Sequence, residues 1–168
     1  MKITLKTSFL FLAASMLFAA CQPVEHKELQ PPVKILSTLE GTWKLIKATQ
    51  VDEDAKTKGF PFKELDLTPL FPYSDFILKF DMVNGAPATF TTTPGASPKI
   101  IKLLSGNWTV DNADFPKDIT LTSGAVTEKV TLGGYPVASA TTLKLSVERR
   151  DFTTNKLLIS YTYEFAKQ

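Results

Sequence analysis

The chain has 168 residues, 43% of them hydrophobic and 21% charged, with 19 Lys and Arg against 17 Asp and Glu. That length holds one domain with a sizeable core and hardly two. The near-neutral balance offers no electrostatic attraction to nucleic acid or to an anionic surface, and a single cysteine excludes an internal disulfide.

The first twenty residues read as a secretory signal, with Lys2 and Lys6 at the start and an uncharged apolar core from Phe9 to Phe18. This core is too short to span a bilayer, which takes about 20 residues. It closes on Leu17-Phe18-Ala19-Ala20-Cys21. A cut ahead of Cys21 places Phe18 where ordinary signal cleavage wants a small residue, so a different peptidase is implied. The stretch resembles the lipobox of bacterial lipoproteins, although Phe18 replaces the usual aliphatic residue. The resemblance implies a diacylglyceryl thioether on Cys21, which becomes the first residue. Two or more acyl chains, at about 0.8 kcal/mol per buried methylene, hold a protein stably to a membrane. The alternative is a free secreted protein cut after Cys21, with Ala19 as the small residue. Gln22 is not the aspartate that favours inner-membrane retention in such lipoproteins, so the expected place is the outer membrane, on its periplasmic or its surface side. Removing the first 20 of 168 residues leaves 148 and takes away Lys2 and Lys6, so that 17 basic residues face 17 acidic ones.

Residues 21–37 are expected to form a flexible tether, because Pro23, Pro31 and Pro32 remove backbone donors and keep their neighbours extended. The cluster Glu25-His26-Lys27-Glu28 within it resembles the export signals of some surface lipoproteins, and a solvated linker accounts for it equally well. The folded domain is expected over 38–168. It opens on Gly41-Thr42-Trp43-Lys44-Leu45, where Trp43 and Leu45 share one face of a strand running to about Val51.

Further strands follow by alternation. Phe76, Leu78, Phe80 and Met82 share a face, and Asn84-Gly85 marks a hairpin turn into a return strand over 88–93. Residues 100–104 and 107–110 are expected to form one strand bent at Gly106, with Trp108 in the core. Ile119 and Leu121 mark the next strand. After the turn at Ser123-Gly124 comes 126–132, then 142–149 with Leu143, Leu145 and Val147 inward. The last is 157–165, with Ile159, Tyr161, Tyr163 and Phe165 on one face. Eight strands joined mostly by short turns predict an all-β, eight-stranded antiparallel up-and-down barrel, which removes sheet edges and has room for side chains or one small ligand. A two-sheet sandwich is the rival and needs longer crossovers.

The glycine and indole of Gly41-Thr42-Trp43 at the head of the first strand, followed by a predominantly β chain of this length, resemble the lipocalin-like barrels, and in particular the lipocalin-like lipoproteins of Gram-negative bacteria. The resemblance implies that the connection after the first strand lies over the mouth of a cavity. That connection, from Val51 to Phe76, is unusually long, shows no strand pattern, and carries Asp52-Glu53-Asp54 and then Phe60, Phe62, Leu70, Phe71 and Tyr73. So many large apolar groups are expected to pack in part on the barrel, as the lid of a pocket or as a plug. Phe60, Phe62, Phe71 and Tyr73 are therefore candidate ligand contacts. Glu128 joins them, because it shares the inward parity of Val126, Val130 and Leu132 and a buried carboxylate needs a partner; a place near the rim explains it as well. Glu148-Arg149-Arg150-Asp151 reads as a local ion-pair network, with glycan contact as the alternative. The sequon Asn107-Trp108-Thr109 has no expected use in a bacterial lipoprotein.

No catalytic set assembles. The single histidine, His26, sits on the tether, no His or Cys cluster offers a metal site, and Asp52-Glu53-Asp54 lacks the spaced oxygens and glycine of a calcium loop. No Gly-rich loop opens a helix for a nucleotide, so no cofactor is expected. The expectation is a monomeric, non-enzymatic lipoprotein, attached to the membrane through Cys21, that binds a small apolar or amphipathic molecule or a glycan. The alternative is a module that docks on another envelope protein, for nutrient uptake or to inhibit a hydrolase. A polar-lined interior cavity speaks for the first; a filled interior with an exposed apolar patch near residues 60–73 speaks for the second.

Overall fold

The computed structural model describes residues 35–134 and 141–168. The expected signal segment, Cys21 and the tether as far as residue 34 lie outside the described residues. Nine strands make one antiparallel sheet: β1 (Gly41–Asp52), β2 (Glu64–Asp66), β3 (Ile77–Val83), β4 (Ala86–Thr93), β5 (Ser105–Val110), β6 (Asp118–Ser123), β7 (Val126–Leu132), β8 (Thr142–Arg150) and β9 (Leu157–Lys167). Each strand from β3 to β9 pairs with the next, and β9 returns to pair along nearly all of β1, from Trp43↔Lys167 to Asp52↔Ile159. The sheet is thus a closed eight-stranded barrel, and the sandwich is ruled out by that last pairing. The ninth strand, β2, is an addition: β1 gives its first residues to β3 (Gly41↔Phe80 to Lys44↔Ile77) and its last to β2 (Thr49↔Asp66 to Val51↔Glu64).

Alternation fills the barrel. Trp43, Phe76, Phe80, Phe90, Trp108 and Phe165 are all under 2% exposed, and Phe80 meets Trp108 at 4.7 Å between ring centroids. Trp108 is a core residue, its Nε1 donating to the Asp81 carbonyl at 2.9 Å. In β1 the register shifts between Leu45 and Lys47. The extra residue turns Ile46 outward, half exposed, and brings Ala48 inward, as a β-bulge does. The turn after β3 has both Asn84 and Gly85 at positive φ (53° and 77°), the type I′ geometry that Asn-Gly favours. Gly106 lets two strands approach: a Cβ there would stand 2.0 Å from the Thr122 carbonyl oxygen.

One expectation is corrected. Residues 100–104 are not strand, and β5 begins only at Ser105. The segment before it crosses the barrel end, held by Thr92 Oγ1 donating to the Leu103 carbonyl at 2.8 Å, with Ile101 buried beneath it.

The two ends of the barrel differ. At the end where the described chain enters, a 3-10 helix (Ile35–Leu39) lays Leu36 and Leu39 on the core, and Trp43 Nε1 donates to the Leu39 carbonyl at 2.9 Å. Ile35 to Ser37, counted with the tether in the sequence, belong to this seal. At the far end lie the long connection after β1, residues 94–104, the β6–β7 turn and the β8–β9 turn.

Candidate functional site

The far end is organised by the connection between β1 and β3, which is more ordered than its sequence suggests. It contains a five-residue helix, α1 (Glu53–Thr57), then β2, then a 3-10 turn (Tyr73–Asp75). The acidic run at its start has structural work. Asp52 Oδ1 accepts from the Asp54 and Ala55 amides and caps α1, and Glu53 accepts from the Ser160 hydroxyl of β9. Lys58 at 2.6 Å and Lys156 at 3.1 Å both donate to Asp54, holding its carboxyl below the usual carboxylate range and tying the connection to the β8–β9 turn. These three carboxylates are taken up in a helix cap, a hydrogen bond to β9 and ion pairs.

Besides Phe76, a core residue just ahead of β3, the connection delivers Tyr73 to the barrel. Tyr73 is buried at 4% exposure, its ring centroid 6.1 Å from that of Tyr163, which stacks nearly parallel to Tyr161 at 6.3 Å. Register fixes the surroundings: Tyr163 is opposite Ala48 and Leu145, and Tyr161 is opposite Gln50 and Val147, so all share the inward face. Phe71 meets the outer side of Tyr73 edge-on at 5.8 Å. Burial pushes the Tyr163 phenol far up, with Tyr73 and then Tyr161 adding to the effect, and burial raises Tyr73 for the same reason. Both phenols are protonated at neutral pH and available as donors.

Tyr73, Tyr161 and Tyr163 make no side-chain hydrogen bond with the described residues, yet no side-chain oxygen or nitrogen among them is both sealed from solvent and unpaired. Two phenols, each more than nine-tenths buried, therefore keep their hydroxyls open to a space that water reaches. This group of three neighbouring rings, the phenol niche, has the chemistry to hydrogen-bond a polar group while an apolar part lies alongside.

The residues singled out from sequence are only partly brought together. Tyr73 lines the niche and Phe71, 48% exposed, flanks it. Phe60 and Phe62 point away, at 53% and 93% exposure, while Leu67 and Tyr73 of the same connection are buried in the core. Glu128 sits near the rim, where its carboxylate accepts from the Lys102 and Leu103 amides at 2.9 and 3.3 Å. That bond fastens the 94–104 segment across the barrel. Gly41 and Trp43 lie at the opposite, sealed end, where Lys167 Nζ stands 5.3 Å over the indole. Arg150 pairs with Glu148 at 2.7 Å, and Asp151 accepts from the Thr153 and Thr154 amides of the β8–β9 turn, which is local structure. Tyr161 and Tyr163 were readable as inward-facing but not as a site; the only signal was a hydroxyl at two successive inward positions where phenylalanine fills a core as well.

A cleft of about 340 Å³ lies at the entry end between Phe115, Pro116, Lys117, Leu132, Gly133 and Gly134. It opens widely and brings no set of polar side chains together. Among the described residues no three His, Cys, Asp or Glu side chains converge as metal ligands would. Comparison with protein-family models, with curated proteins and with solved structures gives no match for this chain.

Proposed function

We propose that the chain is a non-catalytic lipoprotein of the lipocalin-like kind, anchored to the outer membrane through Cys21, that holds a small amphipathic molecule at the far end of its barrel. The observation that carries the reading is the trio of Tyr73, Tyr161 and Tyr163, with hydroxyls unpaired and open although two of the rings are buried. Phenylalanine would fill these inward positions as well, so three hydroxyls kept there without protein partners and reached by water favour a bound polar group that takes the water's place. The filled barrel middle and the exposed Phe60, Phe62, Leu70 and Phe71 are what the docking alternative predicts, so the small-molecule reading rests on the trio at the mouth, which limits the ligand to one ring, one sugar unit, or the head and first carbons of an amphiphile.

Native mass spectrometry of the protein extracted from its own envelope tests this. A co-purifying small molecule, lost in the Tyr73→Phe/Tyr163→Phe double variant, is the expected result. Two neutral hydrogen bonds are worth about 2 kcal/mol, or roughly thirtyfold in affinity. A polypeptide that co-purifies in place of a small molecule, or a ligand retained equally by the double variant, overturns the reading. The anchor is tested separately: Cys21→Ala is expected to release the protein from washed membranes, and retention there contradicts attachment by acylation.

A further inference from the structure

We infer that the far end of the barrel rests on a lipid bilayer, with Phe62 and Phe152 entering the interface. The inference builds on the lipid-anchored reading and adds an orientation to it. It starts from where apolar surface is left uncovered. Phe60, Phe62, Phe71, Leu104, Val126 and Phe152 are all about half exposed or more, and all belong to the connections or strand ends at the far end. At the entry end the described residues leave only Val83 and Phe115 comparably bare. Phe62 and Phe152 are fully in solvent, at 93% and 103%.

Phe152 is presented rigidly. Asp151 Oδ1 accepts from the Thr153 amide, the Thr154 amide and the Thr154 hydroxyl, and Arg150 donates to the Asn155 carbonyl at 3.1 Å. A turn this well bonded has no need of a phenylalanine at its tip for folding, and the exposed ring points to a use outside the fold.

Three features select a bilayer as the occupant. The bare side chains stand on four separate connections, and a fluid surface accommodates separate projections that a folded partner would have to match in shape. Basic and acidic side chains nearly balance over the connections of this end, with Lys56–Glu53, Lys58–Asp54, Lys156–Asp54 and Arg150–Glu148 paired, so attraction is apolar and does not require anionic lipid. Chain length permits the orientation. Residues 22–34 reach at most about 45 Å when extended, while strands as long as β1, at the tilt usual in eight-stranded barrels, give an axial height of about 30 Å. A chain held at Cys21 and entering the barrel at Ile35 is long enough to set the opposite end on the same bilayer. The phenol niche then faces the headgroup layer, and an amphiphile passes between membrane and barrel without crossing water.

The test uses the processed chain from residue 21 carrying Cys21→Ala. The core cluster runs from Leu36 to Phe165, so this chain carries the whole barrel. It is floated with phosphatidylcholine vesicles, with and without phosphatidylglycerol. Binding is expected to both, unaffected by high salt, and Phe62→Ser/Phe152→Ser is expected to lower the partition coefficient about tenfold or more. The same variant keeps its melting temperature, and Phe115→Ser at the other end binds as the parent does. Absence of binding to either vesicle, binding to anionic vesicles alone that salt abolishes, or binding unchanged in the double variant overturns the inference. So does a soluble stoichiometric protein complex lost in the double variant while vesicles go unbound. Tyr73→Phe/Tyr163→Phe separates the two proposals: it is expected to leave flotation intact, so loss of the ligand reading and loss of the docking reading are seen independently.

Discussion

The two ends of this barrel are made from the same strands and solve opposite problems. At the entry end the polar atoms of large side chains find protein partners: the Trp43 indole is bonded to the Leu39 carbonyl, and the 3-10 helix covers the rings below with Leu36 and Leu39. At the far end Tyr73, Tyr161 and Tyr163 have hydroxyls without protein partners, and Phe62 and Phe152 stand in solvent. Apolar surface is worth about 25 cal/mol per Å² when buried, so the entry end is where the fold collects its stability and the far end is where it forgoes some. A region that forgoes burial on a rigid scaffold is the place to look for binding.

Substitutions sharpen the contrast. The largest effect is expected from Trp43→Ala, which empties the sealed end and leaves the Leu39 carbonyl unpaired, at about 4 kcal/mol of unfolding free energy. Denaturant titration measures it, and a loss below about 1 kcal/mol would break the claim that this end anchors the fold.

Next is the response to alkali. The folded pKa of Tyr163 is raised above its ordinary value of 10.0, so its contribution is fully present below that pH and is lost as pH rises through the higher folded value. The denaturation midpoint is expected to fall above pH 10.0, less steeply in Tyr163→Phe, and a variant with the parent's slope contradicts the burial of that phenol. Acid acts in the other direction on Asp118, which Lys129 and then Thr131 hold below the ordinary 3.8. Its stabilisation is present above that pH and disappears as pH falls through the lower folded value. Asp118→Asn is expected to cost about 1 kcal/mol at neutral pH and to flatten the acid limb.

The smallest effects belong to the far end. Tyr73→Phe removes a hydroxyl with no protein partner, and Phe62→Ala removes a ring in solvent, so each is expected to stay within about 0.5 kcal/mol of the parent in stability. A cost near that of Trp43→Ala at either position would erase the distinction between the ends.

Much of this was legible from alternation. The faces of β3, β8 and β9 and the Asn84-Gly85 turn follow from period two and from the backbone needs of a tight hairpin. What escaped has physical causes. β2 is three exposed residues whose pairing comes from the edge of β1, so its own sequence carries no apolar pattern. α1 is too short to show a helical period and exists through the Asp52 cap. Residues 100–104 are apolar because they lie across the barrel end, with amides satisfied by the Glu128 carboxylate in place of a neighbouring strand. The bulge after Leu45 changes which side of β1 faces inward, and nothing local announces it. The niche was half visible: Tyr161 and Tyr163 follow from parity, but the arrival of Tyr73 from a distant connection is a tertiary event.

The most direct test is to map where an amphiphile binds. Octyl glucoside below its micelle concentration offers both an alkyl chain and a sugar ring, and its perturbation of assigned NMR signals in the chain from residue 21 carrying Cys21→Ala locates the site. Shifts concentrated on Tyr73, Tyr161, Tyr163 and Val147 are the predicted result. Shifts confined to the cleft between Phe115 and Gly134 at the sealed end, or none at saturating concentration, would contradict the account.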